Sequence, residues 1–245
     1  MTPLFIEAAP AAWPTIAGAT PDDTALLIID MQRDFCDPQG YVAAMGYDIA
    51  PIRRIIPNIA AVRRAFHAWG GLVIQTREGH RPDLSDLSPL KLQRSRRGGA
   101  EIGSRGPLGR LLIRGETGWD IVPELTPSAN EILIDKPGYS AFHATDLEQI
   151  LGVRGIRKLV IAGVTTDVCV HSTLRSAVDR GYECLLLEDC CAATVATNHA
   201  SAMNTVETEG GIFGAVTNAE AFCRALHQSQ EDRDPERTPG MNAVA

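Results

Sequence analysis

Three side chains in this sequence combine the groups needed for nucleophilic acyl chemistry: a carboxylate, Asp30 in IIDMQRDF; an ammonium, Lys136 in IDKPGYSAF; and a thiol, Cys169 in GVTTDVCVHSTLRSA. A thiol in the first turn of a helix lies near the positive end of the helix dipole, which lowers its pKa and favours the nucleophilic thiolate. Thr166 or Asp167 is placed to cap such a helix, and the unpaired N–H groups of its first turn can bind a developing oxyanion. A carboxylate beside the thiol in a partly desolvated pocket can take its proton as general base. A lysine between the two draws down the pKa of both and helps to neutralise the oxyanion. Taken singly, each residue has an ordinary explanation as a strand-end carboxylate, a solvated turn lysine or a small buried cysteine. Cys36, Cys184, Cys190, Cys191 and Cys223 keep that last reading.

The elements around these residues make the combination meaningful. Apolar runs of strand length alternate with helix-period stretches along the chain, the pattern of an α/β fold with a largely parallel sheet. The expected strands are Thr24 to Ile29, Leu72 to Gln75, Glu131 to Asp135, Lys158 to Ala162, Tyr182 to Leu187 and Ile212 to Val216. Helices are expected around Ile55 to Phe66, with Pro57 in the first turn and Gly70 and Gly71 as the stop, then over Cys169 to Arg180, His199 to Thr208 and Ala219 to His227. Asp30 then follows the first strand, Lys136 the third, and Cys169 lies a short turn past the fourth. Ligands of open parallel sheets bind outside the carboxyl ends of the strands. No G-x-G-x-x-G follows the first strand, so a dinucleotide site is excluded there.

Composition narrows the partners. The chain has 245 residues, 44% hydrophobic, with 23 basic against 30 acidic side chains and a net charge of −7, which favours small-molecule chemistry over nucleic acid or membrane surfaces. Six irregularly spaced cysteines suit reduced thiols and a cytoplasmic protein rather than a disulfide scaffold. The N-terminus lacks a basic leader region and is broken by Pro3, Pro10 and Pro14, and no apolar run reaches the roughly 18 residues of a membrane span. The expected organisation is an irregular arm over 1–21, one domain over 22–227 and a polar tail over 228–245. Between Lys91 and Arg114 lie seven basic residues, five glycines and one acidic residue, Glu101. Both a solvated or subunit-facing surface loop and an anion-facing lid fit that segment.

The stretches TALLIIDMQRDF, IDKPGYSAF and GVTTDVCVHSTLRSA, in that order, resemble the isochorismatase-like cysteine hydrolase family over about residues 22 to 227, with Asp30, Lys136 and Cys169 matching its Asp-Lys-Cys triad. The resemblance implies a three-layer sandwich with a six-stranded parallel sheet flanked by helices, assembled as dimers or tetramers. It implies a cis peptide between Val164 and Thr165, which turns the Thr165 N–H beside that of Cys169 to form an oxyanion hole. Isochorismatases themselves lack the cysteine, so Cys169 points to the amidohydrolase branch, which releases ammonia through a covalent thioenzyme intermediate. Nicotinamidases of this superfamily hold a divalent ion with an Asp-x-His pair and a further His after the second strand. Here IQTREGHRPD has Thr76 and Glu78 at the pair's positions and a lone His80, which implies no metal and no cofactor.

Within that branch, TREGHRPDL, RGETGWDIVPEL, DRGYECLLLEDCCAAT and GGIFG resemble biuret hydrolases. In that group a phenylalanine after the first strand lines the pocket, which Phe35 matches, and a glutamine before a double glycine contacts the ureide. Glu209 stands at the latter position, an acceptor in place of a side chain that also donates, so triuret stands beside biuret as the expected substrate. The alternatives are a ureidoacrylate or N-carbamoyl amino acid amidohydrolase of the same family. A further alternative, of a different class, is a non-enzymatic thiol redox sensor using the vicinal Cys190 and Cys191.

Overall fold

The run TALLII is buried at all six positions in the computed structural model, which describes residues 3–231. A strand with no alternation is one covered on both faces, and this strand, β1 (Thr24–Ile29), lies inside a six-stranded parallel sheet. The others are β2 (Leu72–Glu78), β3 (Ile132–Lys136), β4 (Lys158–Val164), β5 (Glu183–Ala192) and β6 (Ala215–Thr217), in the spatial order β3-β2-β1-β4-β5-β6.

The main helices are α1 (Ile56–Trp69), α2 (Pro89–Arg97), α3 (Leu147–Val153), α4 (His171–Val178), α5 (Ala196–Gly211) and α6 (Ala219–Glu231). On one face of the sheet Ile59, Val62 and Phe66 of α1 and Phe222 and Leu226 of α6 pack with Leu26, Ile28, Val160 and Leu185. On the other, Leu147 and Leu151 of α3, Leu174 and Ala177 of α4 and Met203 and Val206 of α5 pack with Leu27, Ile29, Ile161 and Leu186. Adjacent residues of one strand therefore feed opposite cores, as the two-residue period of a strand requires. Pro57 sits in the first turn of α1, and Gly70, at φ +93°, ends that helix as expected.

The strand order places a topological switch between β1 and β4, because the chain leaves these neighbours toward opposite edges of the sheet. At that point the strands approach so closely that a Cβ on Gly163, which has φ +116°, would stand 2.1 Å from the Ile29 carbonyl oxygen. Only glycine allows that approach. The crevice above β1 and β4 is where the site lies.

Three expectations change. The fifth strand runs on to Ala192 because its register against β4 shifts between Ile161 and Gly163, after which Gly163 pairs with Cys191 and Val164 with Ala192. Cys190 and Cys191 are thus strand residues. The sixth strand begins at Ala215 rather than Ile212, since α5 extends to Gly211 through non-helical backbone at Thr208, Glu209 and Gly210. Within the described part of the irregular N-terminal arm, Leu4 pairs with Ala19, Ile6 with Trp13 and Ala9 with Val216, and Ile6 and Trp13 are buried. The arm covers the outer edge of β6, which would otherwise offer unpaired backbone groups. The basic segment contains a helix, α2, and a small hairpin pairing Arg105 with Arg110. Beyond Glu231 the expected polar tail lies outside the described residues. Among those residues, no helix is long and apolar enough to cross a membrane.

Candidate active site

Four strand ends converge on one buried cluster. Asp30 directly follows β1 with a left-handed backbone, φ +52°. Its Oδ1 accepts the Thr76 hydroxyl at 2.6 Å, and its Oδ2 lies 2.7 Å from Lys136 Nζ at the end of β3. The ammonium also donates to the Gly138 carbonyl at 2.8 Å and stands 3.5 Å from Glu78 Oε2 at the end of β2. The Cys169 thiol donates to that same Glu78 oxygen at 3.3 Å. One ligand atom each from Asp30, Glu78 and Cys169 falls within 4.8 Å of the others, and all three residues are buried.

Glu78 is the member that the sequence analysis overlooked. Held against a metal-site template, it registers only as a missing histidine. The alternation of β2 carries the signal, since Ile74, Thr76 and Glu78 share one side of the strand, so that Thr76 meets Asp30 and Glu78 meets the thiol. Gln32 clamps Glu78 by its backbone, donating to its carbonyl at 2.9 Å and accepting from its N–H at 2.6 Å. Lys91, reaching in from α2, donates to Glu78 Oε1 at 2.6 Å and to the Pro137 carbonyl at 2.7 Å.

Cys169 does not occupy the first turn of an α-helix. It lies in a π-helical turn, Thr166–Val170, that leads into α4. In this turn the Thr165 carbonyl accepts from both Val168 and Val170, at 3.1 and 3.2 Å. Nor is the thiol acidified as the dipole argument expects. Burial pushes its pKa well above the usual thiol value, and the carboxylates of Glu78 and Asp30 add to that, against the opposing pull of Lys136. The resting group is a neutral thiol.

The two carboxylates diverge. Burial raises the Asp30 pKa, assisted by the charge of Glu78 and opposed by Lys136. Burial pushes Glu78 up as well, but Lys136 and Lys91 outweigh it and hold Glu78 at about 2. Lys136 remains protonated, because the attraction of its anionic neighbours exceeds its own desolvation penalty. Two carboxylates with pKa values driven apart around one lysine form an acid–base arrangement in which Asp30 can exchange a proton while Glu78 stays ionised.

The cluster opens on a cavity of about 260 Å³, lined by Cys169, Glu78, Thr165, Phe35, Lys91 and Arg94 among others. That volume falls below the roughly 300–1,000 Å³ of typical drug-sized pockets, which suits a small substrate. Asp30 and Lys136 have no exposed surface and stand behind the lining. Phe35 is among the residues that line the cavity. The Val164–Thr165 peptide is cis, and Thr165 and Cys169 both face the cavity. Glu209 is not brought to the site: it lies exposed in the left-handed kink of α5, outside the cavity lining.

The remaining candidates sort themselves. Cys190 belongs to one core and Cys191 to the other, both buried, so the vicinal pair cannot act on a common substrate. Burial raises both of their pKa values, that of Cys191 to about 12. His80 is buried with its Nδ1 turned to Asp86 at 3.2 Å. Asp30, Glu78 and Cys169 are a conceivable ligand set, but Lys136 lies within 3.5 Å of both carboxylates and supplies the positive charge a divalent ion would bring.

Known proteins share this arrangement's framework. A model of the isochorismatase domain matches residues 24–221. The chain is 36% identical over 229 residues to the ureidoacrylate amidohydrolase RutB of Klebsiella pneumoniae, covering 88% of this chain and 92% of that protein. It is 31% identical over 232 residues to RutB of Acinetobacter baylyi, covering 90% of each. Among solved structures, a cysteine hydrolase from Pseudomonas syringae pv. phaseolicola is similar with a TM-score of 0.75 at 25% identity, covering 94% of this chain and 100% of that one.

Proposed function

The chain belongs to the isochorismatase domain family, and on that premise we propose that it is a cysteine amidohydrolase cleaving a C–N bond of a small ureide, with ureidoacrylate-type substrates ahead of biuret and triuret. The observation that carries the reaction class is a buried thiol clustered with two carboxylates and a lysine beside a small cavity. What favours ureidoacrylate is the similarity to ureidoacrylate amidohydrolases at 31% and 36% identity. Glu209, the expected biuret contact, lies outside the cavity lining and lends no support to the biuret reading.

In the proposed mechanism Asp30, whose pKa burial raises above the ordinary carboxylate value, takes the proton of Cys169 as sulfur attacks the terminal ureide carbonyl. The N–H groups of Thr165 and Cys169 meet the oxyanion, with the Lys136 charge behind them. Collapse breaks the C–NH2 bond, and Asp30 returns its proton to the leaving ammonia. Water, deprotonated by the same carboxylate, then cleaves the carbon–sulfur bond and leaves an N-carboxylated amine and free thiol. For biuret that product is allophanate. Glu78, ionised throughout and bonded to the thiol, orients Sγ and accepts a ureide N–H in the cavity.

An ammonia-release panel of ureidoacrylate, biuret, triuret, N-carbamoyl amino acids and nicotinamide tests this. We expect turnover of the ureides, greatest for ureidoacrylate, and none after Cys169→Ala. Full ammonia release by Cys169→Ala would overturn the mechanism, and chelator-sensitive turnover of nicotinamide would overturn both the substrate class and the metal-free chemistry.

A further inference from the structure

The basic segment of Lys91 to Arg114 is largely used within the chain itself. Lys91 is bound to Glu78 and the Pro137 carbonyl, Arg96 pairs with Glu101 at 2.8 Å, Arg110 donates to the carbonyls of Gly103 and Pro82, and Arg114 reaches the Gly79 carbonyl and Asp86. Among the described residues the side chains of Arg94, Arg97 and Arg105 have no such partner, and of these three only Arg94 lines the cavity. It stands one turn after Lys91 on α2, so that Lys91, Arg94 and Ser95 present one face of that helix to the cavity.

Charge can be counted around the lining. Glu78 is the single carboxylate there and is matched by Lys91, while the remaining lining side chains other than Arg94 are neutral, Cys169 included. Behind the wall Asp30 is matched by Lys136. The cavity therefore carries one uncompensated positive charge, on a guanidinium that cannot deprotonate. Both residues line the cavity, the Cys169 thiol buried and Arg94 exposed to solvent. The planar fork of an arginine fits a carboxylate with two parallel hydrogen bonds, which a neutral ureide does not offer.

We infer that Arg94 is a carboxylate-binding residue that makes this cavity selective for linear ureides carrying a carboxylate at the end remote from the scissile amide. The inference rests on the reading of the site as a ureide hydrolase and fixes the charge of the substrate. A monoanion bound there balances the cavity, with its ureide over Cys169 and Glu78 and its carboxylate on Arg94. Biuret and triuret, being neutral, leave Arg94 without a partner.

The test compares ureidoacrylate with its methyl ester, which removes the charge and keeps the ureide. In the full-length protein the acid is expected to have a KM lower than the ester by roughly ten- to hundredfold, the scale of one charge-assisted pair. Arg94→Met should raise the KM of the acid by that factor, leave the ester unchanged and spare kcat, and Arg94→Lys should recover part of the loss. Calorimetric binding of acid and ester to Cys169→Ala, with and without Arg94→Met, reads the same preference without turnover. Equal KM values for acid and ester, or an Arg94→Met effect that is the same for both, overturns the inference while leaving ureide hydrolysis standing. Failure of Cys169→Ala to bind either compound, together with absence of turnover in the parent protein, overturns both.

Discussion

Both ends of the sheet bury charge, and only one of them has the makings of a site. At the amino ends of the strands Glu131 accepts from Arg63 and His67 at one oxygen and Gln75 at the other, while Lys158 pairs with Asp23 at 2.5 Å. Every oxygen of Glu131 is engaged, and its partners hold its pKa down despite burial. A surface cavity of about 420 Å³ lies beside His67, larger than the one above Cys169. At the carboxyl ends, by contrast, one lysine is shared between two carboxylates whose pKa values move in opposite directions, and a thiol hangs on one of them. Neither buried charge nor cavity size distinguishes the two ends. The difference lies in unequal partnering next to a nucleophile, which leaves a proton with somewhere to go.

Substitutions at the two ends can break this contrast. The largest effect is expected from Cys169→Ala, which should lower kcat/KM on the order of 10⁴-fold or more while the thermal unfolding transition is kept, measured by ammonia release and calorimetry. Lys136→Met should cost about 10³-fold in rate and, by stranding Asp30, about 3–5 kcal/mol of stability in a denaturant titration. Glu78→Gln is expected to reduce kcat by about 10²-fold. At the other end Glu131→Gln should lose about 2–3 kcal/mol of stability with kcat unchanged within about a factor of two, since it is remote from the thiol. A rate loss from Glu131→Gln comparable to that from Glu78→Gln would erase the distinction.

Acidity offers a finer probe of the same difference. Glu78 has a folded pKa of about 2 against an ordinary value of 4.5, so the stability it contributes is complete above about 4.5 and is lost as pH falls toward 2. Asp30 is shifted upward, so its contribution has the opposite sign: it is complete below its ordinary value and is lost as pH rises through the folded one. Glu78→Gln should therefore be less stable than the parent at pH 7, with a gap that closes between pH 4.5 and 2 in urea titrations. A gap that stayed constant would mean that Glu78 is not held ionised by the two lysines.

The strand-end residues were legible in sequence because a parallel sheet marks its strands as apolar runs and gathers ligands where those runs stop. Asp30, Lys136 and Cys169 meet as that rule requires. Properties that depend on register or on competing forces were not legible. Glu78 needs the pairing of β2 with β1 and β3 to be seen as facing the thiol. The Cys169 pKa sets helix polarity against burial and two carboxylates, and burial dominates. The reach of β5 to Ala192 depends on a register shift that no local pattern announces. The similarity to ureidoacrylate hydrolases likewise moved the favoured substrate away from biuret, which motif likeness had put first.

The backbone of Asp30 has a consequence for any randomised library at that position. Its φ of +52° is a conformation that glycine, asparagine and aspartate adopt readily and branched or bulky residues resist. Sorting such a library for folded protein should enrich Gly, Asn and Asp together, and sorting the survivors for turnover should leave Asp alone. Two successive sieves, one conformational and one chemical, would then account for a single letter of the sequence.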